Sequence, residues 1–148
     1  MVEIGFYHLT RTALPEALAR LLDRTLKAGE RALVLCPDPA RLKELDAALW
    51  ACPDPAWLPH GTAADGDPDL QPVWLSTQPE PVNDAHFLFL VDGADTDRRA
   101  VFRRVFDLFD GNDPARVAAA RDRWRTAKTD GHELTYWKQG PRGWEKAG

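Results

Sequence analysis

Residues 116–128, RVAAARDRWRTAK, gather five basic side chains, one aspartate and a single tryptophan into thirteen positions. Guanidinium groups offer paired N–H donors that match carboxylate oxygens two at a time, and an indole beside them adds an apolar platform. Such a set is equipped to bind rather than to break bonds. On a helix, Val117, Ala120, Trp124 and Ala127 step by three, four and three and form an apolar stripe. Arg121 stands three residues before Trp124 and four before Arg125, so both guanidinium groups flank the indole, and Lys128 extends that edge. A plain amphipathic helix with a solvated basic face would look the same. The sharper reading is a groove for an acidic peptide, with bidentate donors in Arg121 and Arg125 and a floor at Trp124. Two charge-assisted hydrogen bonds and one buried ring are worth a gross ~5–9 kcal/mol. After ordering costs this corresponds to affinity on the order of micromolar, weakening with salt.

Other chemistry is sparse. VLCPDPARL and LVDGADTDRR are the turns at which an α/β protein would hold a nucleotide. Neither contains GxGxxG or a glycine-rich loop with lysine, and Pro37 and Pro39 remove two backbone donors from the first. The aspartates of DGADTD, 92–97, miss the ligand spacing of a calcium loop. Asp92 ends an apolar strand, as a Mg²⁺-binding aspartate does in nucleotide hydrolases, so a nucleotide-dependent enzyme is the alternative reading. The four histidines and two cysteines stand at no metal-ligand spacing, and no metal or cofactor is expected. A GxSxG elbow is absent and Ser76 is the sole serine, so no catalytic residue is expected.

The elements that must position the basic helix alternate in type. The spacing predicts strands over 3–9, 31–36, 73–76, 86–91 and 132–139, and helices over 14–29, 38–50, 95–109 and 114–129. Pro15 and two Asp-Pro pairs mark helix starts, and Gly29 and Gly131 mark ends. Residues 51–72 hold five prolines and read as a loop, and residues 140–148 read as a tail. Strands alternating with helices require crossovers, which implies one α/β domain over 1–148. It is expected to be a three-layer, Rossmann-like domain with a mostly parallel central sheet and helices on both faces.

Charge is unevenly distributed. The net charge of −4 divides into −8 over residues 1–113 and +4 over residues 114–148. An acidic body argues against a broad cationic field for nucleic acid, and a local cationic end suits a small acidic partner. The opening residues lack the basic n-region of a signal peptide, and no apolar run reaches membrane-span length. Two cysteines sixteen positions apart make no disulfide framework. A cytoplasmic protein without a membrane anchor is expected.

FYHL, ALVLC, LDAALW, LPHG, PVWLS, FDLFDG, AARDRW and GHELTYWKQ with a closing GW follow in one order along nearly the whole chain. This order resembles the chi subunit of bacterial DNA polymerase III holoenzyme, of the type ending in Tyr-Trp. The resemblance implies a Rossmann-like domain without nucleotide chemistry and a non-catalytic accessory of the clamp-loader complex, a monomer on its own. It implies two partners. One is the acidic C-terminal tail of single-stranded DNA-binding protein, aspartates followed by Ile-Pro-Phe; the other is the psi subunit, where present. Tail contacts in the family come from the late basic helix and the loop before it. They carry onto Arg121 and Trp124, with Phe109 matching the apolar loop position and Val117 falling where some members carry a basic residue. Arg125 and Lys128 join them as helical neighbours. For psi, the expected face is Trp50 with Trp57, Leu58 and His60.

Overall fold

The computed structural model describes residues 2–53 and 58–147. The chain begins with β1 (Glu3–Leu9), α1 (Leu14–Lys27), β2 (Ala32–Leu35) and α2 (Pro39–Ala51). It continues with β3 (Val73–Ser76), β4 (Phe87–Val91) and β5 (Arg104–Asp110), and closes with α3 (Pro114–Thr129), β6 (Glu133–Gly140) and β7 (Gly143–Lys146). Single 3₁₀ turns cover Pro68–Leu70 and Arg99–Val101.

Local chemistry accounts for the helices. Leu14, Leu18, Leu21 and Leu22 bury one stripe of α1, Pro15 sits in its first turn, and Gly29 at φ 79° follows its end. The Asp38 carboxylate accepts from the Arg41 backbone N–H at 2.8 Å and caps α2. Asp113 caps α3 in the same way through Ala115, at 3.0 Å, and Gly131 at φ 82° follows its last turn.

Seven strands form one sheet in the order β3-β2-β4-β5-β1-β6-β7. All neighbours are parallel except the β6–β7 hairpin. Two cores flank it. Leu18, Leu22, Leu45 and Leu49 of α1 and α2 cover Tyr7, Val34, Phe89, Phe106 and Leu108 on one face. Ala120, Ala127, Val117 and Trp124 of α3 cover Ile4, Phe6, Leu33, Leu88, Val105 and Phe109 on the other. The architecture is therefore the three-layer α/β fold expected of the sequence, with a mostly parallel sheet.

Two segments differ from expectation. Residues 95–109, predicted as a helix, contain a 3₁₀ turn and then β5 at the centre of the sheet. The two adjacent apolar stripes of the helical reading include the consecutive pairs Val105-Phe106 and Leu108-Phe109. A strand buried on both faces produces the same pattern: Val105 and Phe109 enter one core and Phe106 and Leu108 the other. The closing segment, read as a tail, contains β7, reached through a turn in which Gly143 adopts φ 118°.

Candidate functional site

Helix α3 lies on the outer side of β5, β1 and β6, and its five cations separate by role. Arg123 is buried and donates to both oxygens of Asp107, 2.6 Å from Nε and 2.9 Å from Nη2. Arg116 donates to the Asp92 carbonyl at 2.5 Å, and Arg125 pairs with Asp122 of its own helix at 2.8 Å. Arg121 and Lys128 are exposed, and neither has a hydrogen-bond or ion-pair partner among the described residues. Arg121 is thus an uncommitted guanidinium close to the indole.

Trp124 is half-buried. It packs edge-on against Phe6 at 5.2 Å and Tyr136 at 5.8 Å, so part of its surface belongs to the core and part faces outward. Val117, two turns earlier on the same stripe, is half-buried against the same core. Phe109, expected in a loop, lies inside β5 and is 1% exposed. Its ring supports His8 at 5.2 Å and Tyr136 at 6.2 Å, which makes it foundation for the surface rather than part of it.

Parallel pairing adds three residues that the sequence reading missed. His8 of β1 is in register with Phe109 of β5 and with Lys138 of β6, and Phe6 is in register with Tyr136. Strand alternation places His8, Tyr136 and Lys138 on the α3 side. The His8 Nδ1 and Tyr136 hydroxyl oxygen lie 2.5 Å apart. Burial, reinforced by Lys138 and Arg121, holds the His8 pKa below its usual value, so the neutral ring can accept from the phenol. Burial raises the Tyr136 hydroxyl, with Arg121 opposing. The result is a cationic rim of Arg121 and Lys138 beside an aromatic floor of Trp124 and Tyr136. The signal available in the sequence was the period-two spacing of Tyr136 and Lys138 in TYWKQ.

The second expected face is less coherent. Trp50 is 52% exposed and lies 4.2 Å, ring to ring, from His60. His60 and Leu58 are themselves buried, and Trp57 lies outside the described residues. His60 Nδ1 is 2.7 Å from the Leu58 carbonyl oxygen, while Nε2 approaches Asp46 Oδ1 at 3.1 Å without making a hydrogen bond. Among the described residues of this group, Trp50 alone offers a broad outward surface.

At the carboxyl ends of the strands, where α/β folds usually hold nucleotides, several donors and charges already have partners within the chain. Neighbouring strands β1 and β5 send α1 and α3 to opposite faces, which makes their carboxyl ends the switch point. The loop after β1 aims the backbone N–H groups of Thr10, Arg11 and Thr12 at one acceptor, Gln139 Oε1, at 2.9, 2.9 and 3.2 Å. The His8 ring fills the space over Gly111, where a Cβ would come within 1.9 Å of it. At the end of β4, the Asp92 carboxylate is bound by the Arg41 guanidinium, which competes with any cation there. Burial pushes the nearby Cys36 thiol up to about 12, well away from a reactive thiolate. Among the described residues no three His, Cys, Asp or Glu side chains are grouped to hold a metal, and no helix is long and apolar enough to cross a membrane.

A protein from Rickettsia prowazekii (strain Madrid E), described as a probable DNA polymerase III subunit chi, is 23% identical over 95 residues. The match covers 64% of this chain and 58% of that relative's length. The family model for the DNA polymerase III chi subunit matches residues 1–135, and the chain therefore belongs to the DNA polymerase III chi subunit family.

Proposed function

We propose that the protein is a non-catalytic accessory subunit in DNA replication that joins the polymerase III clamp-loader complex to single-stranded DNA-binding protein. It does so by holding that protein's acidic C-terminal tail on α3. The observation that carries this reading is the uncommitted Arg121 guanidinium beside the half-exposed Trp124. A terminal carboxylate takes the guanidinium's paired donors, the tail's aromatic end packs on Trp124 and Val117, and its aspartates meet Lys138 and Lys128. Arg125 contributes when the incoming carboxylate displaces Asp122, an exposed pair of small intrinsic worth. Trp50 offers the exposed aromatic for a psi-type partner.

Titration calorimetry with a peptide ending Asp-Ile-Pro-Phe tests the reading. Binding on the order of micromolar is expected, and Arg121→Ala should weaken it about tenfold or more, since one charge-assisted donor pair is lost. Equal binding by the variant would remove the assignment.

A further inference from the structure

The opposite face of the sheet carries a second cationic and aromatic groove. It lies between α1 and the β6–β7 hairpin, has a volume of about 520 Å³, and is lined by Arg11, Arg20, Arg24, Arg142, Trp137 and Trp144. One core tyrosine holds both indoles: Trp137 lies almost parallel to the Tyr7 ring at 6.4 Å, and Trp144 meets it edge-on at 5.0 Å. Both indoles remain half-exposed.

The arginines come from three separate places. Arg11 sits in the loop that Gln139 pins, Arg20 and Arg24 stand one turn apart on α1, and Arg142 occupies the β6–β7 turn. All four are exposed. Two carboxylates lie close by: Glu16, 3.6 Å from Arg20, and Glu145, which folds over Gly140. Arg11, Arg24 and Arg142 have no carboxylate partner among the described residues. Local charge thus stays positive in a protein whose net charge is −4.

We propose that this groove binds a segment of single-stranded nucleic acid, with phosphates on the arginines and bases against Trp137 and Trp144. Distribution of the charge favours that occupant over an acidic peptide. A chain-terminal carboxylate needs donors converging on one point, whereas a phosphodiester backbone needs them spaced along a track with π-faces between. The global charge against which the sequence reading set nucleic acid acts at long range and is screened. The groove acts at contact.

Fluorescence anisotropy with a labelled oligo(dT) of about 20 nucleotides, measured on the full chain at about 20 mM salt, tests this. Three phosphate contacts give a slope of about −2 in log K against log salt, or about twentyfold weaker binding between 50 and 200 mM. The double variant Arg24→Glu/Arg142→Glu, whose side chains are exposed, should keep its circular dichroism and lose binding about tenfold or more. Arg121→Ala should bind the oligonucleotide unchanged, which keeps this site distinct from α3. No binding at low salt, or binding indifferent to the double charge reversal, would overturn the proposal. An aspartate-rich peptide that binds this groove in place of the oligonucleotide would overturn it too.

Discussion

Arg123→Ala separates the two arginines of ARDR by what they do. The Arg123 guanidinium makes both hydrogen bonds to Asp107, and the two side chains are 8% and 2% exposed. Removing it leaves a carboxylate inside the core between α3 and β5, and breaking such a pair from one side costs about 3–5 kcal/mol. For a chain of this length each kcal/mol moves Tm by about 3 °C, so a fall of about 9–15 °C is expected. Burial already raises the Asp107 pKa even though Arg123 opposes it, and without Arg123 the folded carboxyl will hold its proton more tightly. The folded state then binds more protons than the unfolded one. The Asp107 contribution to the variant's stability is therefore fully present below the unfolded carboxyl's pKa and is lost as pH rises through the folded pKa of Asp107. Thermal unfolding followed by circular dichroism across that range reads both effects. Asp107→Leu/Arg123→Met should recover most of the loss, because a buried pair and a well-packed apolar pair are of similar worth. Arg121→Ala, two residues away but exposed, should shift stability by about 0.5 kcal/mol or less. An Arg123→Ala protein as stable as the parent, or a double variant losing the sum of both single losses, would refute this account of how α3 is anchored.

Two further outcomes follow from the same contacts. Gln139→Ala leaves three backbone donors of the β1–α1 loop without their shared acceptor, and about 2–3 kcal/mol should be lost, read as denaturant midpoint; Gln139→Glu, which keeps an acceptor, should lose less, and equal stability of the alanine variant would dismiss the clamp. His8 has a folded pKa below its unfolded value of about 6.5, so the unfolded state binds more protons and stability falls as pH drops below that value. His8→Gln should flatten this acid-side slope in Tm against pH, and an unchanged slope would place the titration elsewhere.

Local signals in the sequence reached the elements they could describe. Asp113-Pro114 and Gly131 bracket α3, and the helix predicted over 114–129 is the one observed. The prolines and leucines of α1 and α2 did the same to within two residues. β5 escaped because Val105, Phe106, Leu108 and Phe109 satisfy two periods at once, and only the sheet decides between them. Arg123 and Asp107, sixteen residues apart on different elements, gave no local sign that one of the five cations is internal. Tyr136 and His8 are separated by 128 positions and meet only because β1 and β6 are parallel neighbours, which no periodicity reports. The basic helix was legible as a surface. Its floor was not, since strand order supplies it.

Strand β6 is where these features meet. Its alternation sends Tyr136 and Lys138 toward α3 and Trp137 and Gln139 toward α1, so one strand of eight residues furnishes both proposed binding surfaces. A slip of one residue would exchange the two sets, putting indole where the phenol meets His8 and lysine into the loop clamp. Gln139 opposes that slip. Its side chain takes the three N–H groups of the β1–α1 loop, and its carbonyl accepts from the Thr10 hydroxyl at 3.1 Å. The donors that would bind a phosphate in a nucleotide-binding relative of this architecture are here spent on register. Pinning of the β1–α1 loop and display of the two faces of β6 are, in this chain, the work of the same glutamine.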